Sequence, residues 1–316
     1  MKIEPKKIRW VLAHEPIDLF LRAANRFASV LEKQTNGAIS IEIMTVSEYS
    51  QRYNGGTPVS RHSLLALMNE GKIEMSQMYT TTLAEVNPEI SVLDLPFLFR
   101  DHDHAAKVLD GEIGQNLLAG LSARSKIQGL AFTYSGGYRM LVGNQSIRKV
   151  SDFKGLRIRT AKSAVAEATF RAVGALPVAL NLEDLNSGLS ERELHCGEST
   201  YPRFYSMKQN EVSTFINDTQ HSLFLTSILI NSDFWNSLDP KIQQLISETA
   251  LASAVDERRE SVDDIALTQV QCRADGIEIV TLPENETSEF KRLTESVYHE
   301  FDSTFAPGLI KKIQNS

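Results

Sequence analysis

Arg159 lies in the run KGLRIRT, residues Lys154 to Thr160, where strand alternation turns it the same way as Arg157 and turns Ile158 the other. A guanidinium keeps its charge and offers a planar fork of donors that fits a carboxylate with two hydrogen bonds. Open α/β sheets place ligand sites at strand ends, so Arg159 is the first candidate for anchoring an anion. Arg139, just after the Gly136–Gly137 pair, is the second. The bland alternative for each is a surface arginine.

Other reactive residue types do not assemble into chemistry. Asp101, His102, Asp103 and His104 suggest a metal, but side chains of consecutive helical residues fan out by about 100° each and cannot converge on one ion. Asp101 as a helix N-cap with solvent-facing neighbours is simpler. His195 and Cys196 are adjacent, so on a strand they face opposite ways and cannot act as base and nucleophile. Ser190 and Ser199 lie in no nucleophile elbow, and there is no phosphate-binding glycine loop or dinucleotide fingerprint. The residues give no enzyme, no cofactor and no metal.

The 316 residues suffice for two domains, and a hydrophobic content of 42% is ordinary for a globular protein. A net charge of −7 argues against a nucleic-acid surface and provides no general positive field, so any anion site must be local. No stretch of 18 apolar residues is present, which argues against membrane insertion. The opening MKIEPKKIRWVLA turns polar before a leader core forms, but a processed chain of an exported protein would look the same. Two cysteines allow no disulfide framework and no four-cysteine zinc set.

Ile8, Trp10 and Leu12 alternate as a strand. Pro16 is expected to open a helix with Phe20, Ala23, Ala24, Phe27 and Leu31 on one face, ending at Asn36 and Gly37; Ile39, Ile41 and Ile43 form the next strand. That β-α-β start predicts parallel strands. Residues 45 to 60 read as a loop, and Gly136–Gly137 as a flexible joint and hinge. Strand and helix alternate from Arg157 to Leu189, with Asn181 in an N-cap position and Asp184 three residues on. After Asp239 and Pro240 no Gly or Pro occurs until Gly276, which predicts a helix about 50 Å long that could bridge two lobes.

The segment LPFLFRDHDHAAKVLDG, Leu95 to Gly111, resembles a signature of the solute-binding subunits of TRAP transporters, the DctP type. Further segments agree in order: Thr35–Gly37, DFKGLRIRT from Asp152, Gly174–Pro177, EVSTFINDTQH from Glu211 and LINSDFWNSL from Leu229. The resemblance implies an α/β, two-lobed periplasmic-binding-protein-like fold with a ligand cleft between lobes. Lobe I would comprise residues 1–136 plus 225–264 and lobe II 137–224 plus 265–316, sharing a long helix at about 240–275. It also implies a periplasmic monomer that captures a small organic acid and delivers it to a TRAP permease. The alternative is a sensing module of the same fold that signals to a receptor.

By the same resemblance Arg159 is the carboxylate clamp and Arg139 a second cation beside it. Ser199, Tyr79, Phe97 and Glu198 are further ligand-binding candidates. Ser199 stands where an Asn is usual, while Glu198 before it is kept. Asn186 and Leu182 replace common aromatics, and Tyr79 replaces the carboxylate of sialic-acid binders, which argues against that ligand. Residues 47 to 60 lack the usual short Leu-Gly turn.

Overall fold

The structure, a computed structural model, describes residues 5–13 and 18–316. It divides into two compact units: residues through Asn87 with Ala106–Tyr134 and Leu225–Arg259, and Pro88–Ala105 with Ser135–Phe224 and Glu260–Ser316.

Unit 1 is built on a sheet of β1 (Lys6–Leu12), β2 (Ile39–Thr45), β3 (Met75–Tyr79), β4 (Ile127–Tyr138) and β10 (Leu223–Asn231), in the order β2-β1-β3-β10-β4. β1 and β2 are parallel, from Lys6 opposite Ile39 to Leu12 opposite Thr45, as the β-α-β start requires. Ile8, Trp10 and Leu12 enter one core with Phe20, Phe27 and Leu31 of the helix Asp18–Gln34. Each such large side chain, once buried, contributes on the order of 1.5–3 kcal/mol. Gly37 ends that helix at φ +76° and donates its N–H to the Glu32 carbonyl at 2.8 Å. Pro16, expected to open the helix, lies outside the described residues.

The expected loop at 45 to 60 is half helix. Val46–Tyr53 is helical because Thr45 and Glu48 close a capping box: the Glu48 N–H donates to Thr45 Oγ1 at 3.1 Å and the Thr45 N–H to Glu48 Oε2 at 2.9 Å. Two orphan donors are thereby satisfied, which outweighs the polar, turn-like composition.

The long helix runs from Pro240 to Ala274 over 35 residues, and the Lys241 N–H caps its start on Asp239 Oδ1 at 2.9 Å. Residues through Arg259 belong to unit 1 and those from Glu260 to unit 2. In unit 1 it covers the edge strand β4 with two buried charged side chains. Glu257 Oε2 accepts the Tyr134 N–H at 2.7 Å, and Arg258 donates to the Phe132 carbonyl at 2.6 Å and to Asp110 Oδ2 at 2.5 Å. Edge-strand groups that could pair with another chain are thus satisfied internally. Among the described residues no helix is long and apolar enough to cross a membrane.

Unit 2 holds a mixed sheet of β5 (Met140–Gly143), β6 (Arg157–Thr160), β7 (Leu176–Ala179), β8 (Cys196–Ser199), β9 (Phe215–Asn217) and β11 (Glu278–Val280), ordered β11-β9-β5-β8-β6-β7. β6 is parallel to β7 and β8, whereas β5 is antiparallel to β8 and β9. Alternation separates two faces. Leu141, Ile158 and Cys196 pack with Phe153, Phe170 and Phe290, whereas Met140 and Val142 pack with Leu185, Phe204 and Cys272.

Residues Pro88–Ala105 belong to unit 2, not to the first lobe to which the sequence reading assigns them. Their contacts explain it: the Phe97 N–H donates to the His221 carbonyl at 2.7 Å, the Phe97 ring meets Phe290 edge-on, and the Tyr298 hydroxyl donates to the Pro96 carbonyl at 2.7 Å. Gly136 and Gly137 lie inside β4, at φ +93° and +84°. A Cβ on Gly136 would come within 2.4 Å of Thr200 Oγ1, so close approach as well as φ demands glycine there. Asn181 makes no capping bond from its side chain; a short 3-10 turn, Leu182–Asp184, follows it and leads into the helix Leu185–Ser190.

Candidate functional site

Arg159 is the buried third residue of β6. Its Nε and Nη2 both donate to the Leu180 carbonyl, at 2.9 and 2.7 Å, and Nη1 donates to the Glu198 carbonyl at 3.4 Å. A guanidinium has five N–H groups, so two remain, one on each terminal nitrogen, without a protein acceptor among the described residues. Opposite Arg159 in register is Gly197, where an added Cβ would meet Leu185 Cδ1 at 2.3 Å and the Arg159 Cβ at 3.1 Å. The missing side chain lets Leu185 pack onto the sheet beside the arginine stem.

Arg139, between β4 and β5, is also buried, at 3% exposure. Its guanidinium carbon lies 3.7 Å from the centroid of the Phe224 ring, and its Nε lies 3.9 Å from Glu198 Oε1. The first is a cation–π contact and the second an ion pair beyond hydrogen-bond reach. Its side-chain N–H groups therefore donate to no protein acceptor among the described residues. Arg203 adds a third buried guanidinium, 4.8 Å from the Phe224 ring and donating to Ser135 Oγ.

Glu198, on β8, has both carboxylate oxygens engaged. Its Oε2 accepts the Ala161 N–H at 2.9 Å, and its Oε1 pairs with His221 Nε2 at 3.1 Å; the other imidazole nitrogen meets Thr219 Oγ1 at 2.8 Å. Burial opposes ionisation, yet the Arg139 charge and the bonds from His221 and Ala161 hold its carboxyl down at about 2. For Arg159 burial dominates and lowers the pKa to about 10, with Glu198 opposing and Arg139 and Arg203 adding to the drop. It remains a cation at neutral pH. Glu183 also acts on Arg159, so three guanidinium charges meet two carboxylates here.

Arg139, Arg159, Glu198 and Ser199 are thus brought together at one end of the unit 2 sheet. Ser199 is fully buried and donates to Gln209 Oε1 at 2.6 Å. Phe97 touches the grouping through the His221 carbonyl, but its ring packs on Phe290, with Lys291 Nζ 5.5 Å from its centroid. Tyr79 belongs to unit 1, at the end of β3 and edge-on to Phe20. Sequence reasoning passes over Arg203, Phe224 and Gln209 as site residues; His221 is visible to it only as the end of EVSTFINDTQH.

The rejected alternatives stay apart. Asp101 does cap its helix, accepting the His104 N–H at 2.7 Å, and Asp103 faces solvent as expected, but His104 is buried on the Ile313 carbonyl and the half-buried His102 leans on Tyr138. Cys196 is buried and its thiol is pushed up to about 12 by burial, while His195 Nδ1 accepts the Arg157 N–H. Among the described residues no group of His, Cys, Asp and Glu could hold a metal ion.

Residues 13–304 match the family model described as bacterial extracellular solute-binding protein, family 7, DctP. The chain belongs to this family. It is therefore a solute-binding protein and not an enzyme. It is 29% identical over 239 residues to the C4-dicarboxylate-binding periplasmic protein DctP of Rhodobacter capsulatus, covering 74% of this chain and 67% of the relative. It is 27% identical over 260 residues to the 2,3-diketo-L-gulonate-binding periplasmic protein YiaO of Escherichia coli K12, covering 82% and 76%. A solved TRAP periplasmic solute-binding protein from Xanthobacter autotrophicus Py2, with bound β-D-galacturonate, superposes with a TM-score of 0.85 at 25% identity, covering 98% of this chain and 99% of that one. This agrees with the α/β fold expected of a DctP-type protein.

Proposed function

We propose that the protein captures a small organic acid outside the cytoplasmic membrane, as a periplasmic monomer, and hands it to a TRAP-type permease. The observation that carries the ligand class is the unmet donor capacity of two buried guanidiniums: the free end of Arg159 and the side chain of Arg139, held by an aromatic face and an ion pair. A carboxylate supplies the acceptors and the negative charge that this grouping lacks. Glu198 serves as a positioning residue that fixes Arg139, not as a ligand contact, because its oxygens are already engaged. The ligands named for relatives are a C4-dicarboxylate, a diketo sugar acid and a uronate, which share a carboxylate and differ elsewhere.

Isothermal titration of succinate, 2,3-diketo-L-gulonate, D-galacturonate and D-glucuronate tests the reading. At least one should bind, and Arg139→Lys, which keeps the charge but loses the fork, should weaken it about 10- to 100-fold. Binding that ignores this substitution would sink the clamp. Delivery is tested by acid-dependent uptake in vesicles carrying the permease, which should require the added binding protein.

A further inference from the structure

We infer that Gln209 is a ligand-contacting, specificity-determining residue whose side-chain amide takes a second oxygen of the bound acid. The inference rests on the reading that Arg139 and Arg159 take the carboxylate. Gln209 opens the short 3-10 turn Gln209–Glu211, after Lys208 in the left-handed region at φ +55°. Its side chain is fully buried. Oε1 accepts the Ser199 hydroxyl at 2.6 Å, and Nε2 has no hydrogen-bond partner. Folded proteins leave few buried amide hydrogens without an acceptor, and those that persist call for water or a ligand. Exchanging the amide ends does not remove the problem, since Ser199 can meet only one of them.

The location favours a ligand. Ser199 follows Gly197 by two residues on β8, so both face the same side of the sheet as Arg159, which sits opposite Gly197. Gly197 puts no side chain between them. Arg159 Nη1 reaches the Glu198 carbonyl, the peptide group that leads into Ser199. The free end of Arg159 and the unmet amide of Gln209, held by Ser199, therefore lie on the same side of the unit 2 sheet. Two cationic forks would hold the carboxylate, and a neutral amide would read what lies a few atoms further along. Such an amide favours a hydroxyl, keto or second carboxylate oxygen over an alkyl carbon, because an alkyl group leaves both N–H groups unmet.

The test compares acids that differ in that oxygen. Succinate, L-malate and D-galacturonate are titrated against butyrate and hexanoate into the wild type, Gln209→Leu and the double variant Ser199→Ala/Gln209→Leu. The double variant removes both members of the buried pair and is expected to melt at or above the wild-type temperature without ligand. Both variants should lose about 10- to 100-fold in affinity for the best oxygen-rich acid and keep their affinity for the alkyl acids, which collapses the discrimination. If Gln209→Leu does not fold, the double variant alone decides. Discrimination kept in the variants, with binding that still depends on Arg139, overturns the inference and leaves the carboxylate reading standing. A panel without any binder, or binding indifferent to Arg139, overturns the carboxylate reading and this inference with it.

Discussion

Each unit buries arginine beside acid, but the two groupings are balanced in opposite ways. In unit 1 the guanidinium of Arg258 is bonded to one carboxylate, Asp110, and to a backbone carbonyl, while the neighbouring Glu257 is taken by the Tyr134 N–H. In unit 2 three guanidiniums meet Glu198 and Glu183, both oxygens of the buried acid are bonded, and donors remain on Arg139 and Arg159. The first grouping staples a helix to a sheet edge. The second has the same ingredients with the cation in excess, and an excess of donors inside a fold is useful only to something that arrives from outside.

The sharpest break of this contrast is Arg159→Ala. It should lower affinity for the bound acid by roughly 30-fold to several thousandfold, read by titration calorimetry, with a smaller loss of ligand-free stability than Arg258→Ala causes. The second half follows from its lowered pKa: burial already disfavours the charged form. An unliganded protein that melts much earlier would mean that Arg159 is as structural as Arg258. Arg258→Ala is the converse. It strands Asp110 and the edge-strand carbonyl, and denaturant unfolding should show a loss of about 3–5 kcal/mol.

Glu198→Gln comes next, because it removes a charge that the fold stabilises. A folded pKa of about 2, against an ordinary carboxyl near 4.5, means that Glu198 adds stability above pH 4.5 and loses it as the pH falls towards 2. Wild type should lose on the order of 3 kcal/mol across that window, and the Gln variant should lack this part of the profile. Gly197→Ala is smaller, about 1–3 kcal/mol, as Leu185 and the Arg159 stem give way, and it should weaken binding in step. The exposed pair Arg292–Glu289 is the control. Its removal should leave both melting temperature and affinity unchanged.

The long helix and the first β-α-β unit are legible in the sequence because nothing conflicts with their pattern: no Gly or Pro from Lys241 to Asp275, and a regular apolar stripe from Phe20 to Leu31. The helix at Val46–Tyr53 is hidden because its polar composition masks a capping box that only Thr45 and Glu48 announce. Among site residues, Arg139 and Arg159 stand out through position and resemblance. Glu257 and Arg258 do not, because in the run DERRES buried and solvated charges look alike; only the covered strand edge tells them apart. Gln209 carries no signal, since an unmet amide is a property of its neighbours and not of its own residue type.

The depressed ionisation of Glu198 bears on how the ligand can be identified. With its charge fixed down to about pH 2, this acid contributes no titration of its own between neutrality and the onset of acid unfolding. Guanidiniums stay charged throughout that interval. Glu198 and the two clamps therefore add no ionisation of their own, and in a His221→Gln background, which removes the imidazole paired with Glu198, the acid limb of the binding curve should carry the ligand's own ionisation. A monocarboxylate would lose affinity tenfold per pH unit below its free pKa, and a dicarboxylate held at both ends would fall more steeply. The shape of one pH titration would then fingerprint the solute by counting the charges it must keep in order to stay bound.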